Sequence, residues 1–211
     1  MPLERFYRLS EEKQKAIHHA AMKEFARVPI DKVSINKIIK EADISRGSFY
    51  TYFEDKWDIL HYIFEDGQKQ MNRFCIDNLE ENQGNVWVML MNFLDCTMGA
   101  CSNNETFEFI RNVMMHSSSE DMFNGFSRNR DTCVADKSEL EQQIFEKADK
   151  SGFKNQGFEE FHYFLDIAMS SMALGMREFY RGGPKETIRE EFQNKLKLLQ
   201  YGVCTERQEA I

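Results

Sequence analysis

An all-α fold is what this sequence predicts, and three observations carry the prediction. Only 3 prolines and 11 glycines are spread over 211 residues, which leaves long stretches without the residues that interrupt helices. Apolar residues recur at spacings of three and four through most of those stretches. The apolar stock is rich in Phe (18) and Met (12) and poor in the valines that favour sheet. Hydrophobic residues make up 42% of the chain, enough to bury a core in one large domain or in a small domain followed by a larger one.

The elements follow in order. Ser10 caps a first helix, where Glu11 and Glu12 complement the positive helix end. Ile17, Ala20, Ala21 and Phe25 form its inner face, and Pro29 ends it. Ser34 caps a short second helix with Ile35, Ile38, Ile39 and Ala42 on one side. Asp43 and Ile44 make a tight turn. Ser45 caps a short third helix whose apolar contacts are Phe49, Tyr52 and Phe53. Asp55 caps a long fourth helix that buries Trp57, Leu60, Ile63, Phe64, Met71 and Phe74. After a break at Gly84-Asn85, the pattern predicts helices near 85–101, 105–116, 119–128, 133–150, 156–181 and 185–203. Residues 128–133 fit loop and helix equally well.

Charge separates the chain into two parts. The net charge is −8, yet residues 1–56 hold 11 Lys/Arg against 9 Asp/Glu, a net of +2 that leaves −10 on the remainder. A weakly basic head on an acidic body keeps attraction for a polyanion local to the head. The five cysteines (Cys75, Cys96, Cys101, Cys133 and Cys204) are odd in number and lack a CxxC pair, which predicts free thiols in a reducing cytoplasm. Charges at Glu4, Arg5 and Arg8 exclude a signal peptide. No run approaches the ~18 apolar residues of a membrane span.

The head carries the chemistry. Three short helices with a tight turn between the second and third predict a helix-turn-helix. Ser45, Gly47 and Ser48 are small enough for the third helix to approach the floor of the major groove. Arg46, Ser48 and Thr51 are the candidate base readers. Arg46 is suited to the two acceptors of guanine, and the Thr51 methyl to thymine. Tyr50, Tyr52, Lys56 and Ser34 at a helix start are the candidate phosphate anchors on the flanks, and Asn36 is a further candidate DNA-binding residue.

These residues bring a family into view. Ser45, Gly47, Tyr50, Phe53 and Lys56 form a Ser-x-Gly-x-x-Tyr-x-x-Phe-x-x-Lys run, followed by Leu60. With Phe25 and the 34–39 stretch upstream, residues 10–60 resemble the DNA-binding segment of the tetracycline-repressor (TetR) family. The resemblance implies an all-helical homodimer on palindromic double-stranded operator DNA, usually a repressor, with phosphate contacts at Tyr50, Tyr52 and Lys56. Tyr52 stands where many members carry histidine. It implies a head over 1–56 and a ligand-binding and dimerisation body over 57–211. Past residue 60 the likeness is in helical layout alone.

Within the body, Ala168, Ser171 and Gly175 form a small-residue stripe, and Ile188, Phe192, Leu196, Leu199 and Val203 an apolar one. Such stripes predict close helix packing in a four-helix dimer interface. Trp87, Met91, Phe107, Phe109, Met114, Met115, Met169 and Met172 are candidate walls for a small-molecule effector, with Glu108, Arg111, His116, His162 and Asp166 as polar groups nearby. These groups leave the effector's charge open. None of the five histidines stands in an HxxxH or CxxC context, so neither metal nor cofactor is predicted. No nucleophile elbow or phosphate loop is present, and an enzyme is not predicted. The alternative is a DNA-binding protein of the same fold without a small-molecule ligand, controlled by a protein partner or acting as an architectural factor; an all-helical enzyme is a third reading.

Overall fold

The computed structural model describes residues 2–100, 104–116 and 130–204. The expected helix at 119–128 and Cys101 lie outside the described residues. Among the described residues the chain is helical: α1 Glu11–Arg27, α2 Ile35–Glu41, α3 Arg46–Tyr52, α4 Lys56–Glu81, α5 Val86–Ala100, α6 Asn104–His116, α7 Arg130–Lys147, α8 Phe158–Tyr180 and α9 Lys185–Val203, with single 3-10 turns at Phe6–Arg8 and Ile30–Lys32. Residues 130–133, open between loop and helix in the sequence, begin α7. The chain divides into two compact units, one gathering residues 1–69 with 101–134, the other residues 70–100 with 135–211.

The first unit is built on one apolar core. Ile17, Phe25, Ile38, Phe49, Phe53, Ile59 and Leu60 are fully buried in it. Phe6, ahead of α1, is buried as well, its ring 4.7 Å from Tyr62 and 5.0 Å from Phe53. The core is completed by Phe109 and Val113 of α6. The Phe109 ring lies 5.2 Å from Phe64 and 6.4 Å from Phe25. Asn112, one turn along from Phe109, donates from Nδ2 to the carbonyls of Phe25 (2.5 Å) and Val28 (2.6 Å). Those carbonyls end α1 and have no partner within their own helix. The unit therefore includes residues past 56/57, since Ile59, Leu60, Ile63, Phe109 and Val113 share the core of the head.

A buried carboxylate ties α1 to α2. Glu24 is only 5% exposed. It accepts two hydrogen bonds from Arg27, at 2.7 and 2.8 Å, and one from the Ser34 backbone N–H at 3.2 Å. Burial pushes its carboxyl up, but the Arg27 and Ser34 hydrogen bonds outweigh burial and hold it below the ordinary 4.5. The latch is complete above that value and is lost as pH falls through the lowered folded-state value. Glu24→Gln is expected to cost about 1–3 kcal/mol at neutral pH. The gap from wild type should close in thermal melts taken at successively lower pH. A gap that stays constant into strong acid would remove the carboxylate from this role.

The second unit is organised by rings. Trp87 lies against Phe153 (5.8 Å, near-parallel) and Phe164 (4.8 Å). Phe161 closes on Phe153, Phe164 and Phe145. Gly84 sits at φ +80, and a Cβ there would lie 2.6 Å from the Asp149 backbone nitrogen. Glycine lets the Asp149 N–H reach the Gly84 carbonyl at 2.9 Å. Gly175 has a similar purpose between α8 and α9, where a Cβ would meet Ile188 at 3.1 Å. Arg189 Nε donates to Asp95 of α5 at 3.0 Å.

Two expectations about burial change. Ala168, Ile188, Phe192 and Leu196, expected at a dimer surface, are buried inside the chain, while Ser171, Gly175 and Leu199 are half-buried. The stripes do pack closely, but α8 packs on α9 of the same chain. A side chain enclosed by its own chain offers a second copy nothing. On α4, Ile59, Cys75 and Leu79 are buried, whereas Trp57, Phe64, Met71 and Phe74 are half-buried.

Candidate nucleic-acid interface

Local sequence sets the angle between α2 and α3. Helix α2 ends in a left-handed Asp43 at φ 47. The N–H of Ile44 returns to the Ile39 carbonyl at 3.1 Å and that of Asp43 to Lys40 at 3.4 Å. This pairing is a Schellman stop, formed here on Asp, one of the few residues besides glycine that tolerate the conformation. Ser45 then starts α3 at once. Its Oγ accepts from the Ser48 N–H at 3.0 Å and lies 2.8 Å from the Ser48 hydroxyl. Phe49 and Phe53 anchor the inner face. Asp55 caps α4 through the N–H groups of Trp57 (2.7 Å) and Asp58 (3.2 Å), as expected. Ser10 and Ser34 begin α1 and α2 without a side-chain cap bond. At Ser34 the residue's own backbone N–H donates to the Glu24 carboxylate.

The outer face gathers residues from three elements. Ser34 and Asn36 of the α2 start, Arg46 and Tyr50 of α3, and Lys56 and Trp57 of α4 line one open depression of about 360 Å³. Arg46 is held on two sides. Its Nη1 donates to Asn36 Oδ1 at 2.7 Å, and its guanidinium carbon lies 5.6 Å from the centre of the exposed Tyr50 ring. Lys56 Nζ donates to the Asp31 carbonyl at 2.8 Å. Ser45 and Gly47 are exposed at the leading end of α3. A Cβ at Gly47 would meet only Ser45 Oγ, at 3.8 Å, so the fold itself does not demand glycine there. Thr51 commits its hydroxyl to the Ser48 carbonyl at 2.7 Å. Tyr52 is half-buried, its ring edge-on to Phe6 at 6.2 Å.

Trp57 belongs to the depression, although the sequence assigns it to the core. Its position next to Lys56 in the first turn of α4 was the available signal. The Glu24 latch behind Ser34 left no signal, since a lone Glu in an amphipathic helix reads as surface.

The helix-turn-helix with its exposed Arg46 and Tyr50 and half-buried Lys56 has counterparts in known sequences. Residues 17–63 match the model of the bacterial regulatory proteins of the tetR family. Residues 85–203, more than half of the chain, match the tetracyclin repressor-like C-terminal domain. The chain belongs to the TetR family. It is thus a DNA-binding transcriptional regulator with a helix-turn-helix head. Among its relatives is an HTH-type transcriptional regulator of Staphylococcus aureus (strain USA300), 32% identical over 56 residues, which are 26% of this chain and 30% of that one. A second, from Staphylococcus aureus strain bovine RF122 / ET3-1, is 33% identical over 63 residues, or 30% and 32% of the two chains. The chain therefore matches about a third of the length of these relatives.

Solved TetR-family structures share the fold over nearly the whole chain. NalD, the secondary repressor of the MexAB-OprM multidrug efflux pump in Pseudomonas aeruginosa, superposes with TM-score 0.63 at 15% identity, covering 94% of this chain and 100% of its own. A putative TetR-family regulator from Syntrophomonas wolfei gives 0.62 at 20% identity, with 94% and 100% covered. A cysteine mutant of CifR complexed with 26-bp double-strand operator DNA gives 0.55 at 16%, with 86% and 94% covered.

The expected effector residues fall in both units. Phe107, Arg111 and Met115 are on α6 in the first; Trp87, Met91, His162, Asp166 and Met169 are in the second. Trp87 and Met91 are buried, and the Trp87 indole N–H has no hydrogen-bond partner among the described residues. Arg111 pairs with Glu108 at 3.1 Å, and His162 Nδ1 lies 2.8 Å from Glu141 Oε2. Asp166 is exposed, while Phe107, Met115 and Met169 are half-buried. The described residues contain no cluster of three or more His, Cys, Asp or Glu able to hold a metal, and no described helix is long and apolar enough to cross a membrane. Burial first and Cys96 second push the Cys75 thiol up to about 12, which keeps it protonated at neutral pH.

Proposed function

We propose that this regulator is a homodimeric repressor that grips a palindromic operator through the Ser34–Lys56 surface and is released by a small-molecule effector. One observation carries the effector reading, the two-faced character of α6. Phe109, Asn112 and Val113 share the face packed on α1, with Phe109 and Val113 buried and Asn112 bonded to the last α1 carbonyls. Phe107, Arg111 and Met115 fall on the opposite side of the same helix. A ligand that engages that side and shifts α6 pulls directly on α1, and so on the core that holds α2 and α3. NalD is itself described as a repressor, which agrees with the direction of control.

The dimer face is assigned to what α8 and α9 leave bare. Tyr163, Ile167 and Leu174 are all more than half exposed and lie within one narrow stripe of α8, at i, i+4 and i+11. Leu198 and Tyr201 add a second patch on α9, Leu198 being 71% exposed. Large apolar side chains in such rows mark a contact surface, and a palindrome calls for a two-fold partner.

On the DNA side, Tyr50, Ser34, Ser45 and Lys56 serve as phosphate contacts, with Arg46, Ser48 and Thr51 facing the base edges. The Thr51 hydroxyl is occupied by its own helix, which leaves its methyl for thymine. Gly47 keeps the leading end of α3 low against the groove. Lys56→Ala is expected to weaken binding on all sequences alike and to lower the salt slope by about one. An unchanged slope would remove Lys56 from the phosphate contacts. The whole reading is tested by selecting bound fragments from random DNA and placing the selected site over a reporter promoter. Transcript should fall when the protein is supplied and recover with an effector found by displacement screening. A rise on supplying the protein would make it an activator.

A further inference from the structure

An exposed arginine is ordinarily a poor reader of bases. Its side chain carries about 2 kcal/mol of rotamer entropy, and nothing distinguishes its attraction to phosphate from its attraction to guanine until its plane is fixed. Arg46 is exposed but fixed in the free protein. Asn36 accepts from its Nη1 at 2.7 Å across the α2–α3 turn, and Tyr50 lies beneath the guanidinium at 5.6 Å. All three line the same open depression.

We propose that Asn36 and Arg46 form one reading unit, in which Asn36 is the positioning residue that sets the guanine preference of Arg46 at a single base pair of each half-site. Arginine has five N–H donors in a planar fork. With Nη1 directed to Asn36, the Nε–Nη2 edge keeps two parallel donors, the number needed for guanine O6 and N7. The orientation that edge needs is prepared before DNA arrives, so less freedom is lost on binding. The Tyr50 ring limits rotation of the guanidinium plane. Asn36 thus acts on sequence preference without touching the base that is read. The assignment rests on α3 being the base-reading helix.

The test is a specificity profile of the full-length protein on a selected operator, with every base substituted at every position at fixed salt. Arg46→Ala should remove a guanine preference of about tenfold or more at one position per half-site. Asn36→Ala should reduce the preference at that same position several-fold, leave the salt slope and thermal midpoint unchanged, and have no further effect there in an Arg46→Ala background. Altered preference at a different position would mean that Asn36 reads a base itself, and would overturn the proposal. So would additive effects of the two substitutions, or an equal loss on all sequences with Asn36→Ala. If Arg46→Ala lowers affinity evenly and changes no preference, the base-reading role of Arg46 fails, and the proposal with it. If Arg46→Ala removes the preference and Asn36→Ala leaves it intact, only the coupling fails.

Discussion

Phe109→Ala should destabilise the DNA-binding head by about 3–5 kcal/mol, although the residue lies more than forty positions beyond the N-terminal family match at 17–63. The side chain is 3% exposed and inserted between Phe64 and Phe25, so truncation leaves a ring-sized void on the flank of α1. A domain of this size has a total stability of roughly 5–15 kcal/mol, and such a loss removes a large share of it. Melting should begin earlier, and operator binding should fail at temperatures where the wild-type protein still binds. The same change at Phe107, on the other side of α6, serves as the comparison, since its side chain is only half-buried. Equal, small effects at both positions would mean that α6 merely rests against the head.

A pair of charges on the α8 stripe should have the second large effect. Ile167→Glu with Leu174→Glu places two carboxylates where apolar side chains are 51% and 60% exposed. Both side chains are more than half exposed, so the thermal midpoint of the protomer should change little from this source. Sedimentation should report a monomer. Operator affinity should fall by roughly a hundredfold or more, because two heads joined in one dimer gain about 10²–10⁴ over a single head without any new contact. Ile188→Ala, within the α8–α9 contact of the same chain, should act in the opposite way and lower stability first. A double-glutamate variant that stays dimeric would move the two-fold axis elsewhere on the body.

Much of the head could be read before its structure was known, because the signals there are local. Ser45 capping α3 and Asp55 capping α4 involve partners two or three residues away. The Pro29 stop and the inward Phe49 and Phe53 follow from backbone restriction and helical spacing. The body was legible in its helices but not in its contacts. The stripe of Ala168, Ser171 and Gly175 announces a close neighbour, yet the pattern is the same whether that neighbour is α9 of the same chain or a helix of a second copy. Within this chain the neighbour is α9, since a Cβ on Gly175 would meet Ile188 at 3.1 Å.

What the sequence determined by itself is thus the kind of protein: an all-helical regulator with a weakly basic helix-turn-helix head that carries Arg46, Tyr50 and Lys56. What only the tertiary structure decided is how those residues are held. Asn112 on the ends of α1, Phe109 in the head's core, Glu24 behind Ser34 and Asn36 against Arg46 bring together positions ten to nearly ninety residues apart. Helix spacing and capping act over a few residues of chain, and so leave a periodic trace. Contacts between distant segments are set by which surfaces remain unburied once the helices have formed, and that choice is made only by the packed chain.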